Sequence, residues 1–303
     1  MPSVIEVTDL RKTYGDVVAV DGVSFAVEEG EIFGMVGPNG AGKTTTVECV
    51  EGLRTRDAGG VSILGIDPKE RMALADKIGV QLQETSLSAR IKVREALDLF
   101  ASFYEDPADI DDLLTTLGLE DKESAKFDKL SGGQKQRLFI ALALISRPKI
   151  VFFDELTTGL DPQARRAMWD LVREVRDSGT TVVLTTHFME EAERLCDRVL
   201  IIDEGRIVAL DTPEALVRSI GAERRVVLTI AEDASLPSLE SLPVVTRVER
   251  SGSRAIVYGA GERFVSSVVG ALEDEGVDFV DLRTEQPTLD DVFLQLTGRE
   301  MRE

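Results

Sequence analysis

The eight residues 37–44, Gly-Pro-Asn-Gly-Ala-Gly-Lys-Thr, constrain what this chain can fold into more than any other segment. The apolar run over 32–36 precedes them and is typical of a buried strand, and 45–50 has the pattern of the first turns of a helix. Glycine amides in such a loop can curl around phosphate oxygens because no Cβ intervenes, and the helix N-terminus adds unpaired N–H donors. Strand, loop and helix in this order predict a nucleoside triphosphate site rather than a glycine-rich turn that merely caps a helix.

The side chains of this loop predict how a triphosphate is held. Lys43 is expected to reach the β- and γ-phosphates, and the hydroxyl of Thr44 is expected to ligate Mg²⁺. The predicted nucleotide-binding residues of this segment are Gly37, Pro38, Asn39, Gly40, Ala41, Gly42, Lys43, Thr44 and Thr45.

A pair of acids follows a second buried-strand pattern. Asp154 and Glu155 come directly after the four apolar residues 150–153, so we expect them at the carboxyl end of a strand, where open α/β sheets bind ligands. On its own such a pair is often a solvated turn. Together with the phosphate loop it predicts that Asp154 holds Mg²⁺ through water and that Glu155 polarises the attacking water.

The order of the remaining patterns predicts two domains. As far as about residue 203, short apolar strands alternate with helical segments, which favours an α/β domain with a largely parallel sheet. After Gly221 the pattern changes to β-α-β-β-α-β, the order of a ferredoxin-like α+β unit. Its predicted strands cover 225–230, 244–250, 254–258 and 278–283, and its predicted helices cover 262–275 and a short stretch near Ser238.

Composition excludes several classes of protein. The chain has 303 residues, of which 55 are acidic and 35 basic, for a net charge of −20. A dedicated nucleic-acid binder is disfavoured because such proteins need basic surfaces. No apolar run approaches the roughly 18 residues of a membrane span, and the N-terminus lacks the pattern of a signal peptide. We therefore expect the chain to stay in the cytoplasm.

A second helix start also has the character of an anion site. Ser131 is a good N-cap, and Gly132 and Gly133 leave bare amides at the start of the helix that follows. Since the first loop already accounts for the phosphates of one nucleotide, Ser131, Gly132, Gly133 and Gln134 are expected to bind, in trans, the γ-phosphate of a nucleotide held by another subunit. With these motifs in this order, residues 4–220 resemble the ATP-binding subunit of an ABC transporter.

The resemblance implies the fold and two further site residues. It implies a P-loop NTPase core of the ABC ATPase type over 1–220, with an inserted helical subdomain at about 84–145, followed by the accessory domain over 221–303. Asp161, in the sequence Gly-Leu-Asp-Pro, resembles the key acid of the loop that links the two sites of a dimer and is expected to act in trans. His187, the only histidine in the chain, resembles the switch histidine of the family.

Two other positions carry less specific signals. Tyr14 resembles the aromatic residue that stacks on adenine, although an exposed turn tyrosine would look the same. Gln83 resembles the glutamine that contacts Mg²⁺ and couples to the membrane partner, with Gln81 as a weaker rival. Where the family often has proline after the catalytic glutamate, this chain has Leu156, which should change only the stiffness of the loop.

These residues together predict an ATPase. The catalytic residues are expected to be Glu155, His187 and Lys43, and the Mg²⁺ ligands Thr44, Gln83 and Asp154, with ATP and Mg²⁺ as cofactors. The expected partners are a second ATPase subunit, in a homodimer or heterodimer, and a separate polytopic membrane permease, with no nucleic acid. Such a chain would be peripheral on the inner face of the cell membrane.

The C-terminal segment narrows the predicted function. Residues 287–299 resemble the ending of multidrug-export subunits of the daunorubicin-resistance type, although an amphipathic closing helix would show the same spacing. The chain is thus expected to power export of a drug-like or lipid-like small molecule. The alternatives are a soluble ABC-type ATPase that acts on nucleic acid or ribosomes, and a regulatory module that binds nucleotide without hydrolysing it.

Overall fold

The computed structural model describes residues 2–82, 86–221, 223–231, 239–261 and 263–299. These residues divide into two compact units, the first ending at Pro213 and the second beginning at Glu214. Each unit has its own sheet and its own hydrophobic core.

A mixed sheet forms the centre of the first unit. Its strand order among the described residues is β5-β6-β7-β3-β8-β9, and all neighbours are parallel except β8 and β9. The strands are β3 (Ile32–Val36), β5 (Ile78–Gln81), β6 (Ile150–Asp154), β7 (Thr181–Thr186), β8 (Arg198–Asp203) and β9 (Arg206–Asp211). Strands β3, β6 and β7 are buried along their whole length, which explains why β3 and β6 are almost continuously apolar and why β7 has three apolar residues between its threonines.

Helices follow three of these strands in the chain. Helix α1 (Lys43–Val50) follows β3, helix α6 (Pro162–Asp177) joins β6 to β7, and helix α7 (Met189–Leu195) joins β7 to β8. The short helix α2 (Arg71–Leu74) precedes β5. This alternation confirms the predicted α/β fold.

An antiparallel sheet packs on the opposite side of α1. It has the order β2-β1-β4 and is built from β1 (Ser3–Tyr14), β2 (Val17–Glu28) and β4 (Ala58–Ile63). The Phe25 and Phe33 rings are stacked 5.4 Å apart, and they belong to a core shared by this sheet, α1 and the parallel sheet. From the sequence alone, residues 17–27 are predicted to form two strands broken at Asp21 and Gly22. That prediction is wrong, because Gly22 takes a φ of +71° inside one continuous strand whose pairing with β1 shifts register nearby.

Helices also form the segment between β5 and β6. The spacing of apolar residues over 93–116 predicts helix, and the structure has two helices there, α3 (Val93–Ala101) and α4 (Ile110–Thr116), separated by a connection that contains Pro107. Asp109 begins α4 by accepting hydrogen bonds from the amides of Asp111 and Asp112. The apolar helix α5 (Gly132–Leu144) follows and packs against α3.

The second unit is a four-stranded antiparallel sheet covered by a helix. It contains β10 (Arg224–Ile230), β11 (Val245–Ser251), β12 (Arg254–Gly259), α9 (Phe264–Asp274), β13 (Phe279–Glu285) and α10 (Leu289–Thr297), and α8 (Pro213–Ser219) leads into it. The strand order β11-β12-β10-β13 is that of a ferredoxin-like unit. Ser238, near which a short helix is predicted, lies outside the described residues; Leu239–Ser241 forms one 3₁₀ turn.

No helix in the described ranges has the length and apolar character needed to cross a bilayer.

The stacked pair of phenylalanines gives a test of this core. Phe33 is fully buried, so Phe33→Ala removes a packed ring and is expected to lower the free energy of unfolding of the first unit by about 3–5 kcal/mol. Trp169, the only tryptophan in the chain, is buried in this unit, so its fluorescence during urea unfolding reports the change. The exposed Val17 provides the control, since Val17→Ala should shift stability by no more than about 0.5 kcal/mol. Equal unfolding midpoints for the two variants would contradict the assignment of Phe33 to the core.

Candidate nucleotide-binding site

The phosphate loop needs its glycines for two different physical reasons. Gly42 ends the loop with a φ of +101°, a conformation that side chains rarely adopt, and a Cβ there would overlap the carbonyl oxygen of Ala19. Gly37 has an ordinary φ, but its Cβ would overlap the carbonyl oxygen of Ile202 at the end of β8. The loop therefore packs so closely against β2 and β8 that neither position has room for a side chain.

Lys43, the only charged residue of the loop, is buried with 4% of its surface exposed. Its Nζ donates to the carbonyl oxygens of Gly37, at 2.8 Å, and Pro38, at 3.2 Å, and lies 3.9 Å from Oε1 of Glu155. Burial lowers the pKa of Lys43, and the carboxylates of Glu155 and Asp154 oppose that shift. The ammonium group thus links the loop carbonyls to the carboxylate of Glu155, just after β6.

The loop and Glu155 line one cleft. The cleft has a volume of about 210 Å³. Its lining residues are Ala19, Asn39, Gly40, Gly42, Lys43, Thr44, Thr45 and Glu155. Loop residues and the acid from β6, which are more than a hundred positions apart in the sequence, therefore meet in space.

Asp154 is the last residue of β6 and is buried. It accepts a hydrogen bond from the hydroxyl of Thr185, and the hydroxyl of Thr44 also lies near enough to lower its pKa. Burial raises the pKa of Asp154, the bond from Thr185 lowers it, and the neighbouring charge of Glu155 raises it again. A carboxylate and a hydroxyl are oxygen donors, which suit the hard cation Mg²⁺. Because that ion usually keeps several of its waters, few protein ligands are needed to hold it.

Glu155 leaves the strand in a different direction because its φ is +50°, an uncommon conformation for a residue with a side chain. Its amide donates to the carbonyl oxygen of Thr185 at 3.1 Å and to the hydroxyl of the same residue at 3.2 Å, which holds this turn in place. Its carboxylate accepts a hydrogen bond from the hydroxyl of Thr158 at 3.3 Å. Local backbone strain of this kind concentrates at functional sites.

His187 follows β7 and points to the same carboxylate. Its Nδ1 lies 3.5 Å from Oε1 of Glu155 and has no hydrogen-bond partner among the residues that the structure describes. The amide of Phe188 donates to the hydroxyl of Thr186, which fixes the turn after the strand. Lys43 and His187 therefore approach one oxygen of Glu155 from two strand ends.

The described residues offer few side chains that could ligate a metal ion. Within the described ranges no group of three or more His, Cys, Asp or Glu is arranged to hold a metal ion. Gln83 lies outside the described residues. Its rival Gln81 is buried, donates to the carbonyl oxygen of Leu82 at 2.7 Å, and lines a separate cleft with Phe139 and Leu142.

Of the residues predicted to act in trans, Ser131, Gly132 and Asp161 are exposed, and Gly133 and Gln134 are half-buried. Ser131 and Gln134 form a reciprocal capping box at the start of α5, and Asp161 caps α6 by accepting from two amides at 3.0 and 2.9 Å. Gly132 lies close to Leu160, since a Cβ on this glycine would sit 3.8 Å from that side chain. None of these residues lines the phosphate cleft described above.

Tyr14 ends β1 and is 40% exposed. Lys12 Nζ and Arg54 Cζ lie 5.5 and 5.3 Å from the centre of its ring. The ring is therefore kept at the surface by two cations rather than packed into the core. It is not among the residues that line the phosphate cleft.

Thr185 and Thr158 are functional candidates that the sequence reasoning missed. Thr185 contacts both Asp154 and Glu155, because β6 and β7 pair in register at Asp154 and Thr185. The available signal was a hydroxyl at the end of an otherwise apolar strand pattern, directly before the segment that holds His187.

Comparison with known proteins agrees with this geometry. The sequence profile of the family described as "ABC transporter" matches residues 20–158. The chain is 40% identical over 310 residues to the Nod factor export ATP-binding protein I of Ralstonia nicotianae, covering 99% of this chain and 95% of the relative. It is 41% identical over 307 residues to the protein of the same name in Paraburkholderia xenovorans, covering 99% and 98%.

Solved structures show the same architecture. An ATP-binding subunit of an ABC transporter superposes with a TM-score of 0.65 at 30% identity, covering 72% of this chain and 94% of that one. A dimeric ATP-binding cassette in a post-hydrolysis state, bound to ADP and Pi, superposes with a TM-score of 0.62 at 27% identity, covering 69% and 98%.

The phosphate loop, the acids at the end of β6 and the matching folds define an ATP-binding cassette. The chain belongs to the ABC transporter family as an ATP-binding subunit, and it is an ATPase. The predictions of the fold, of the family and of ATPase activity are confirmed. The daunorubicin-resistance type and the roles of single site residues stay predictions.

A further acid, Glu51, lies at the C-terminal end of α1. Glu51 follows α1 and is 5% exposed, and its Oε2 has no hydrogen-bond partner within the described part of the chain. Burial raises the pKa of Glu51 well above its ordinary value, and the negative charges of Asp154 and Glu48 add to that shift. The folded chain therefore binds a proton at Glu51 at a pH where the unfolded chain has released it.

The raised pKa of Glu51 should make the stability of the folded chain depend on pH. Between the ordinary pKa of a glutamate and the raised pKa of Glu51, the folded state binds more protons, so the free energy of unfolding falls as pH rises through that window. Glu51→Gln should flatten this slope and raise stability at neutral pH, measured by urea unfolding of the nucleotide-free chain between pH 5 and 8. Glu29→Gln, at an exposed position, should keep the wild-type slope. If Glu51→Gln also kept it, Glu51 would have to be ionised in the folded chain.

Proposed function

We propose that this chain hydrolyses ATP to power export of a drug-like or lipid-like small molecule through a separate membrane subunit. The observation that carries the ATP-hydrolysing role is the convergence of Lys43 and His187 on one carboxylate oxygen of Glu155 beside the phosphate loop. Export is supported by relatives named for Nod factor export that match almost the whole chain, and by the daunorubicin-resistance resemblance of residues 287–299.

The proposed chemistry assigns one task to each of these side chains. Glu155 accepts a hydrogen bond from the attacking water and polarises it towards the γ-phosphate. Lys43 exchanges its bonds to the loop carbonyls for bonds to the β- and γ-phosphates, so its charge stays paired in both states. His187 donates to the γ-phosphate and reports its presence to the segment after β7.

Mg²⁺ fits the donors at the end of β6. Asp154 and the Thr44 hydroxyl would hold it, the aspartate through water, and Gln83 is proposed as a further ligand. When bound, the ion supplies charge neutralisation to the β- and γ-phosphates. Tyr14 is proposed to stack on adenine, a role for which its exposed ring is available.

We further propose a head-to-tail dimer that encloses two nucleotides. Ser131 and Asp161 are exposed and lie outside the chain's own phosphate cleft, so the helix start at Gly132 and Gly133 can face a nucleotide held by another subunit. A solved relative is dimeric and holds ADP and Pi. The second subunit is proposed to be either another copy of this chain or a related one.

The membrane subunit is proposed to dock near the helical segment over 84–145. A cleft of about 710 Å³ lies between the α2 region and the turn after α3, and Met72 and Phe103 stand at it with 89% and 69% of their surfaces exposed. Such large exposed apolar side chains favour a protein partner. The chain would then lie on the inner face of the cell membrane.

The domain division follows the same proposal. We propose that 1–220 is the ATPase domain and that 221–303 is an accessory domain that stabilises the dimer or regulates it, which is supported by the two compact units. A soluble ABC-type ATPase that acts on nucleic acid or ribosomes is the alternative. The net charge of −20 counts against it, because phosphate backbones attract basic surfaces.

The role of Glu155 can be tested by an isosteric change. Glu155→Gln removes the charge that polarises water, so ATP turnover should fall by about 10²- to 10⁴-fold while ATP-bound dimers accumulate. Steady-state phosphate release and size-exclusion chromatography with ATP and Mg²⁺ measure the two effects. Glu174→Gln, at an exposed position on α6, is the matched control and should turn over normally. Rapid turnover by Glu155→Gln would remove the proposed role.

The membrane partner can be tested by recovery from detergent-solubilised membranes. A tagged full-length chain is expected to bring down a polytopic membrane protein, and Phe103→Asp should reduce that recovery by making the docking cleft polar. Val280→Asp changes a similarly exposed residue in the second unit and should not reduce it. Recovery of ribosomes or DNA alone would favour the soluble alternative instead.

A further inference from the structure

The side chains of His187, Phe188 and Arg165 form a stack. The His187 and Phe188 rings lie 4.0 Å apart between centroids at an angle of 43°, and the guanidinium carbon of Arg165 lies 4.2 Å from the centre of the Phe188 ring. Phe188 is thus in contact with both the imidazole and a planar cation. Arg is the more frequent cation in such contacts, and its planar guanidinium can stack on an aromatic face.

Arg165 is held in this stack by the ring more than by hydrogen bonds. Its Nε is buried and has no hydrogen-bond partner among the described residues. Its neighbour Arg166, which has the same chemistry on the next position of α6, is exposed. The two arginines are therefore a natural pair for comparison, one inside the stack and one outside it.

The stack begins at the loop that contains Asp161. Arg165 lies in the first turn of α6, where its amide donates to the carbonyl oxygen of Asp161 at 2.9 Å. A displacement of that helix start therefore moves the guanidinium that rests on Phe188. Asp161 itself is exposed, so a docking subunit can reach it.

A second tie joins the same two helices farther from the site. Trp169, one turn beyond Arg165, donates its indole N–H to Oε1 of Glu191 on α7 at 2.9 Å, and both side chains are buried. This bond fixes α6 to the helix that follows His187, so the segments cannot slide freely past each other. The imidazole is thus linked to α6 both through Phe188 and through the start of α7.

We propose that Arg165 and Phe188 are positioning residues that hold His187 against Glu155 and make its position depend on the loop at Asp161. This inference rests on the proposed function, since it assumes that His187 assists hydrolysis and that the Asp161 loop faces a second subunit. It assigns a physical route by which docking at one surface reaches the catalytic pair. The route runs from Asp161 through Arg165 and Phe188 to His187, which lies 3.5 Å from Glu155.

Kinetics of single variants test the stack. Arg165→Met keeps an unbranched apolar stem but removes the cation, and it should lower kcat for ATP about 10- to 100-fold because a small misplacement of a catalytic group has effects of that size. The KM for ATP should change by no more than about twofold, since Arg165 does not line the phosphate cleft. Arg165→Lys should recover part of the loss, and Arg166→Met, the matched control, should have wild-type kcat.

A direct readout is available because His187 is the only histidine in the chain. In histidine-labelled full-length protein, the imidazole Cε1–H signal reports His187 alone, and it should shift in Arg165→Met and in Phe188→Leu but not in Arg166→Met. Thermal unfolding followed by Trp169 fluorescence shows whether each variant is folded. If Arg165→Met does not fold, Arg165→Lys and Phe188→Leu carry the test.

The outcomes separate this inference from the proposed function. If His187→Ala is inactive while a folded Arg165→Met has wild-type kcat, or lowers kcat without moving the His187 signal, the positioning role is overturned and the proposed function stands. If His187→Ala itself turns over at the wild-type rate, the proposed role of His187 fails. A lowered kcat, an unchanged KM and a shifted His187 signal in Arg165→Met, all absent from Arg166→Met, establish the positioning role.

Discussion

The pairing of a buried lysine with the acids at the end of β6 is the constraint on which the site depends. Lys43 is almost fully enclosed, and an enclosed ammonium is tolerated only where oxygens surround it. Two carbonyl oxygens of its own loop and the carboxylate of Glu155 supply them. The loop is therefore closed on itself before any phosphate arrives. On the proposed function, ATP replaces the carbonyls with stronger partners, so binding costs the lysine little additional desolvation.

The strand order explains why these groups meet. Strands β6, β7 and β3 are neighbours and parallel, so their carboxyl ends deliver Asp154, Thr185 and the phosphate loop to one edge of the sheet. The register places Thr185 opposite Asp154, and its hydroxyl and carbonyl oxygen then fix both acids. The unusual φ of Glu155 follows from the same contacts, because the turn that they hold sends its carboxylate towards Lys43 and His187 rather than beside Asp154.

The sequence predicted the parts of this arrangement that are encoded locally. The phosphate loop, the acids after an apolar run and the N-cap at Ser131 each depend on a few adjacent residues, and all have the predicted local form. What it did not predict depends on contacts between distant segments. Gly22 looked like a strand break, yet pairing with β1 keeps it inside one strand. Thr185 acquires its role only from the register of β6 and β7, and Arg165 meets Phe188 only because α6 packs on α7.

The separation between the two sets of site residues also bears on how the chain can act. Lys43, Glu155 and His187 gather at the phosphate cleft, whereas the caps at Ser131 and Asp161 lie on an exposed surface outside that cleft. A single chain therefore leaves the residues predicted to act in trans without a nucleotide of their own to contact. On the proposed function a second subunit brings the two sets together. The stack from Arg165 to His187 then gives the exposed set a mechanical connection to the buried one, so that docking and hydrolysis need not be independent events.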